Sequence, residues 1–237
     1  MNKSIHPIRN GEYSKKGEYH RELNRNWRYY PIYLAKMDYL KKLFTNVPKK
    51  SKILDLGCGE GVFIQYLVEN GFDAYGIDLN YSSNLVNQGN ILRTGLEDDS
   101  FDVITSLDVL EHLNYSEQNT ALAEIYRILK PGGTAIISVP NLAHFSSRFS
   151  FLLTGRLLRT SSIERHPGDR PYIEFRNLIS RHFIIQKSKG IFPTFPLTLY
   201  LTVKTPSIMV PWHNFLNALG FPLGWCFLNI FTCSKLR

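Results

Sequence analysis

The sequence predicts an α/β protein in which a largely parallel sheet carries helices on both faces. Three observations support this. A short apolar strand, Lys52 to Leu56, runs into a turn with glycine at Gly57, Gly59 and Gly61. Strand and helix signals then alternate as far as Asn141. The buried-type strand FDVITS (Phe101 to Ser106) is followed, after a helix, by a β-rich run, TAIISVP.

Taken in order, residues 1–31 are polar, basic and aromatic without a sustained period, which suits an arm or lid. Between Ile32 and Phe44 the residues Tyr33, Met37, Leu40 and Phe44 recur at spacings of four, three and four, so they are expected to share a packed helical face. Val62 to Asn70 has helical periodicity with Gly71 as its stop, and Ala74 to Ile77 reads as a second strand ending at Asp78. Ser116 to Leu129 reads as a helix, which Pro131-Gly132-Gly133 should end before the next strand. Only ten residues separate Asp78 from Gly89, which is short for a parallel crossover that includes a helix. Beyond Asn141 a strand is expected at His182 to Gln186 and a last one at CFLNIFTCS, with a Pro- and aromatic-rich stretch between them. The organisation expected is an arm and helix over residues 1–45, a ligand-binding core over 46–141, and a lid region completing the sheet over 142–237.

Charge divides sharply along the chain. Residues 1–52, 53–141 and 142–237 carry formal charges of +9, −10 and +9. Basic flanks suit an anionic acceptor, membrane headgroups or nucleic acid, and equally an ordinary solvated surface. Cys58, Cys226 and Cys233 form no paired framework, and the first residues lack an apolar signal-like run, so reduced thiols and a cytoplasmic setting are expected.

Closely spaced glycines between a strand and a helix let the backbone approach a ligand unhindered by β-carbons. The order here is G-x-G-x-G, and Val62 stands where a dinucleotide fingerprint wants a small residue, which weakens that alternative. With Asp55, Asp78, DDSFDVI and LKPGG in register over residues 50–141, the chain resembles the class I S-adenosylmethionine-dependent methyltransferases. The resemblance implies a Rossmann-like fold with a seven-stranded, mostly parallel sheet whose last strand is antiparallel. It also implies S-adenosyl-L-methionine as methyl donor. Asp55, Gly57, Gly59 and Gly61 would face its methionine part, Asp78 the ribose, Asn90 and Ile91 the adenine, with Leu107 beside the cofactor. Asn90 replaces the acid usual after that glycine.

In SLDVLEHL, Asp108, Glu111 and His112 stand at i, i+3 and i+4, on one face if the segment is helical. An alcohol acceptor needs deprotonation or metal polarisation near neutral pH, and His112, with Glu111, is the candidate for the first. The stretch also resembles the ubiquinone-biosynthesis O-methyltransferases, which implies a divalent metal such as Mg2+ at Asp108, Glu111 and His112. A structural cap is the third alternative for these residues.

The sequence lacks the Asn/Asp-Pro-Pro-aromatic motif of amino-methylating nucleic-acid enzymes, which argues against nucleic acid. The expected acceptor is a small molecule or a lipid- or glycan-linked group, methylated on oxygen. Tyr19, His20, Trp27 and Tyr30 from the arm, and His166, Asp169 and Arg170 from HPGDR, are the acceptor-side candidates. The arginine-studded Phe145 to Arg159 suits an interfacial helix in peripheral membrane contact. Thr205 to Ser234 has no Asp, Glu, Lys or Arg, but its prolines and glycines argue against a membrane span and suit a lid. A non-catalytic cofactor-binding module, an RNA methyltransferase and a dinucleotide oxidoreductase stay open as alternatives.

Overall fold

The computed structural model describes residues 23–235. In chain order the elements are helix α1 (Tyr30–Phe44), strand β1 (Lys52–Leu56), α2 (Val62–Glu69), β2 (Asp73–Asp78), β3 (Val86–Gln88), β4 (Phe101–Leu107) and a 3-10 turn (Leu110–His112). They continue with α3 (Tyr115–Ile128), β5 (Leu129–Pro140), α4 (Phe145–Thr154), α5 (Tyr172–Ile179), β6 (Ile184–Pro193), α6 (Pro196–Lys204), α7 (Val210–Leu219), a second 3-10 turn (Leu223–Trp225) and β7 (Cys226–Ser234). The strands form one sheet in the order β3-β2-β1-β4-β5-β7-β6. β7 runs antiparallel to both β5 and β6, so the other six strands share one direction. Chain order diverges on either side of the β1/β4 junction, the place where a parallel sheet opens a crevice at its carboxyl edge.

Alternation along the strands feeds two cores. Ile53 and Ile136 pack with Leu40, Phe44, Ile64 and Leu67 of α1 and α2, while Leu54, Leu56 and Ile137 pack with Leu122, Ile125, Phe175 and Leu178 of α3 and α5. Burying side chains of this size contributes roughly 1.5–3 kcal/mol each. α3 starts on a reciprocal cap: Asn114 Oδ1 accepts from the Ser116 and Glu117 N–H groups, and Glu117 accepts from Asn114 N–H.

Several expectations are corrected. Pro131-Gly132-Gly133 does not precede β5 but lies within it, as an irregularity between the Phe101–Leu129 and Val103–Thr134 pairs. The buried line of α1 is Ile32, Lys36, Leu40 and Phe44, while Tyr33 and Met37 are half-buried, because Lys36 has an acidic partner beneath the helix. The Pro-rich stretch before β7 contains α6 and α7, each with proline in its first turn, where the missing N–H costs no helical bond. β6 starts later than expected and runs on to Pro193. The short second crossover is present, with no helix between β2 and β3.

Candidate active site

The glycine turn leaves the carboxyl end of β1 with φ of 75°, 55° and 71° at Gly57, Gly59 and Gly61. A Cβ on Gly57 would stand 2.4 Å from a Val109 methyl, so the turn packs directly on the segment after β4. Gly61 begins α2 without a side-chain cap, leaving the helix amino end to be met by something other than a side chain. Asp78 closes the turn from β2: Oδ2 accepts from Gly59 N–H at 2.8 Å and Oδ1 from Asn80 N–H at 2.9 Å. Each oxygen keeps a further lone pair for a hydroxyl donor. Asp55 lies buried on β1 and accepts from the Thr105 hydroxyl at 2.7 Å. Burial pushes its pKa up to about 7 against the opposing pull of Thr105 and Lys36. After β3, Asn90 Oδ1 accepts from Leu92 N–H at 2.9 Å and turns the chain past buried Ile91; half-buried Leu107 ends β4.

Directly after β4, Asp108 takes a left-handed φ of 57°. Its N–H donates to Ser138 O at 3.0 Å, and its carboxylate accepts from the Ser138 hydroxyl and from Lys36 Nζ at 2.7 Å. Burial alone would raise the Asp108 pKa, but Lys36 and Ser138 outweigh it and hold the carboxyl below its ordinary value. Only Leu110–His112 forms a 3-10 turn, so the expected single helical face of Asp108, Glu111 and His112 does not form. Glu111 turns inward with Oε2 unpartnered among the described residues, and burial followed by the Asp108 charge raises its pKa well above the carboxylate range.

His112 is exposed at the surface, with Nδ1 at 3.1 Å from the Arg165 carbonyl. A carbonyl only accepts, so Nδ1 carries the proton and Nε2 keeps its lone pair. The edge of the His166 ring lies against it, with centroids 4.5 Å apart. Loss of water around the ring, then His166, lowers the His112 pKa to about 4.

The segment before α5 docks on this turn, since Gly168 N–H donates to Glu111 O and a Cβ on Gly168 would collide with Leu113 O at 2.0 Å. His166 Nδ1 meets the Thr160 hydroxyl at 2.8 Å, and Arg159 and His166 both face the buried Asp169 carboxylate. Arg28 and the Tyr29 hydroxyl donate to Thr160 O, closing the arm onto the same segment, with Trp27 packed against Tyr29 and Tyr33. Tyr30 only begins α1, half-buried. Arg170 turns aside to Gln118 at 2.7 Å and stacks over Tyr115, so its guanidinium is engaged within the fold. Tyr19 and His20 lie outside the described residues.

A family model described as a methyltransferase domain matches residues 19–186, well over half of the chain. The chain belongs to the class I S-adenosylmethionine-dependent methyltransferases. It is 32% identical over 162 residues to a ubiquinone biosynthesis O-methyltransferase of Nitrosococcus oceani, covering 56% of this chain and 67% of that one. It is 26% identical to a phosphoethanolamine N-methyltransferase of Plasmodium falciparum, covering 60% of each. Several further relatives are matched over less than half of their own length. A SAM-dependent methyltransferase structure from Archaeoglobus fulgidus shares the fold, with a TM-score of 0.58 at 16% identity over 85% of this chain and 93% of that one.

The residues present fit the methyltransferase cofactor. The turn carries glycine with positive φ at Gly57, Gly59 and Gly61, Asp78 is oriented by two backbone N–H groups, and buried Asp55 suits a cationic group. The implied metal does not fit. Asp108 is held by Lys36 and Ser138, Glu111 points inward, and His112 Nδ1 is turned to a carbonyl. Among the described residues no three His, Cys, Asp or Glu side chains are placed to hold an ion. The sequence reasoning missed Lys36, Thr105 and Ser138. For Lys36 a signal existed, since a lysine four residues from both Ile32 and Leu40 sits in the middle of an apolar line.

Proposed function

We propose that this methyltransferase transfers a methyl group to an oxygen nucleophile of an amphipathic acceptor, a small molecule or a lipid- or glycan-linked group, with His112 as general base. The observation that carries this is the Arg165 carbonyl on His112 Nδ1, which keeps the proton of the neutral ring on Nδ1 and leaves the Nε2 lone pair for the acceptor, while desolvation, against the pull of that carbonyl, favours the neutral ring. Bound S-adenosylmethionine supplies a sulfonium methyl that an in-line nucleophile can take. Asp78 would hold the ribose hydroxyls, Asp55 the cationic methionine end, and the glycine turn the backbone approach. His112 Nε2 would take the acceptor hydroxyl proton as the methyl leaves the sulfonium sulfur, which becomes a neutral thioether, for the acceptor oxygen, while His166 and Arg165 keep the ring oriented. No step needs a metal, and the closed fit of Asp108 supports that.

The test is incubation with methyl-labelled cofactor and phenolic, glycan, lipid and amine acceptors, with and without EDTA. Label on oxygen, insensitive to EDTA, is expected. Label on nitrogen, or no turnover beside intact cofactor binding, would overturn the assignment. His112→Asn should lower kcat by roughly 10²–10⁴ without weakening cofactor binding. At saturating cofactor, kcat should stay level between about pH 8 and 6, where an ordinary histidine would lose roughly three quarters of its base form.

A further inference from the structure

α4, α6 and α7 are built inside out. α4 buries Ser146 and Ser147 while Phe151 and Leu152 face outward, Leu152 being 79% exposed. α6 buries Thr198 and Thr202 while Leu197 is 71% exposed and Tyr200 also faces solvent. α7 buries His213 along with Leu216 and exposes Trp212 and Phe215; between α6 and α7, Ile208 is 74% exposed. A helix of a water-bounded domain places its apolar stripe against the core and its polar residues outside. Here two helices reverse that rule outright and the third keeps only half of it.

The outward faces are held together from within. Trp212 Nε1 donates to Thr198, Thr202 meets His213 at 2.8 Å, and the Phe145 and Phe195 rings lie 5.5 Å apart, joining α4 to the start of α6. The group sits beside the carboxyl ends of β5 and β6, the edge of the sheet that also carries Asp55, Asp78 and Asp108.

Charge selects the occupant. No Asp or Glu follows Glu174, and Arg148, Arg156 and Lys204 lie on or just beyond α4 and α6. A second copy would set one basic, apolar face against another, whereas an anionic bilayer offers hydrocarbon for the side chains and phosphates for the cations. Among the described residues no helix is long and apolar enough to cross a membrane, so the contact lies in the interface plane. We infer that α4, α6 and α7 form a docking face for an anionic lipid bilayer, beside the mouth of the methyl-transfer site. This deepens the amphipathic-acceptor reading and rests on it for its purpose. Vesicle binding is measured without turnover, so failure of either is seen separately.

The experiment is flotation of the full chain with phosphatidylglycerol-containing and pure phosphatidylcholine vesicles, with light scattering for oligomeric state. Binding to the anionic vesicles, weakened by salt, is expected. The double variant Leu152→Glu/Ile208→Glu should partition roughly 10- to 100-fold less, since two large apolar groups no longer leave water. Both positions are exposed, so its melting and its cofactor binding by calorimetry should match those of the parent. The inference is overturned if the parent ignores anionic vesicles, if the double variant binds them equally well, or if the substitutions dissociate a dimer that never binds lipid.

Discussion

Asp55 combines deep burial with a position at the carboxyl edge, where the proposed function would set it against the cationic end of the cofactor. With a pKa near 7, its charge is balanced close to neutrality. A cation alongside favours the ionised carboxylate and draws the pKa down, so binding expels a proton from whatever fraction was still neutral. The sign is then fixed: cofactor affinity rises as pH increases through 7 and levels off once Asp55 is fully ionised. A gain of about tenfold between roughly pH 6 and 8 is expected, one decade per pKa unit. Calorimetry in two buffers of different ionisation enthalpy should register the released proton. Asp55→Asn should bind more weakly and lose this pH dependence; an unchanged slope would remove Asp55 from the cofactor site.

At the level of elements, the Lys36–Asp108 pair ties α1 to the carboxyl end of β4 across the site. Burial would lower the Lys36 pKa, but the charge and hydrogen bond of Asp108, together with Tyr33 and Glu111, outweigh it and raise it instead, so the pair is charged and mutually stabilised. Lys36→Met leaves the Asp108 side chain with only Ser138, and stability should fall by about 1–3 kcal/mol, less than for a fully buried pair because part of the Asp108 carboxylate meets water. Lys36→Met/Asp108→Asn should recover most of that loss in urea denaturation; no recovery would mean that the lysine stem, not its charge, does the packing. The same pair shows what the sequence made legible. β4, β7 and the glycine turn were readable because apolar runs and glycine spacing follow one local rule. The buried line of α1 was not, because a long-range carboxylate decides which way a lysine points. α6 and α7 escaped for a related reason: periodicity reasoning assumes apolar side chains turn inward, and here threonine and histidine do. For the site, motif spacing singled out Asp55 and Asp78, which the fold places on neighbouring strands beside the glycine turn, whereas the metal triad assumed a helical turn that the left-handed Asp108 interrupts.

Across the whole molecule, charge divides along the chain, an acidic middle segment lying between two basic ones. Buried titratable groups make stability respond to acid in two opposing ways. His144 and His213 are both held by burial at a pKa of about 4, with Nδ1 and Nε2 respectively on threonine hydroxyls. An unfolded chain takes up these protons below about pH 6.5, so their contribution is present above that value and is lost as pH falls toward 4. Asp55 and Glu111, raised by burial, act in the opposite sense, since the folded state holds their protons at pH values where the unfolded state has released them. A bulk acid titration therefore mixes both signs, and a variant difference is needed to separate them. His213 is fully buried, its Nδ1 lacks a partner among the described residues, and the Phe192 ring lies 4.0 Å away, so a charge there would be uncompensated. His213→Gln keeps an amide that can meet Thr202 but cannot titrate. The stability advantage of the parent over this variant should shrink by up to about 3 kcal/mol between pH 7 and pH 4.5, the value of roughly two pKa units. Urea denaturation at both pH values measures it, and a constant difference would show that His213 carries no proton-linked stability.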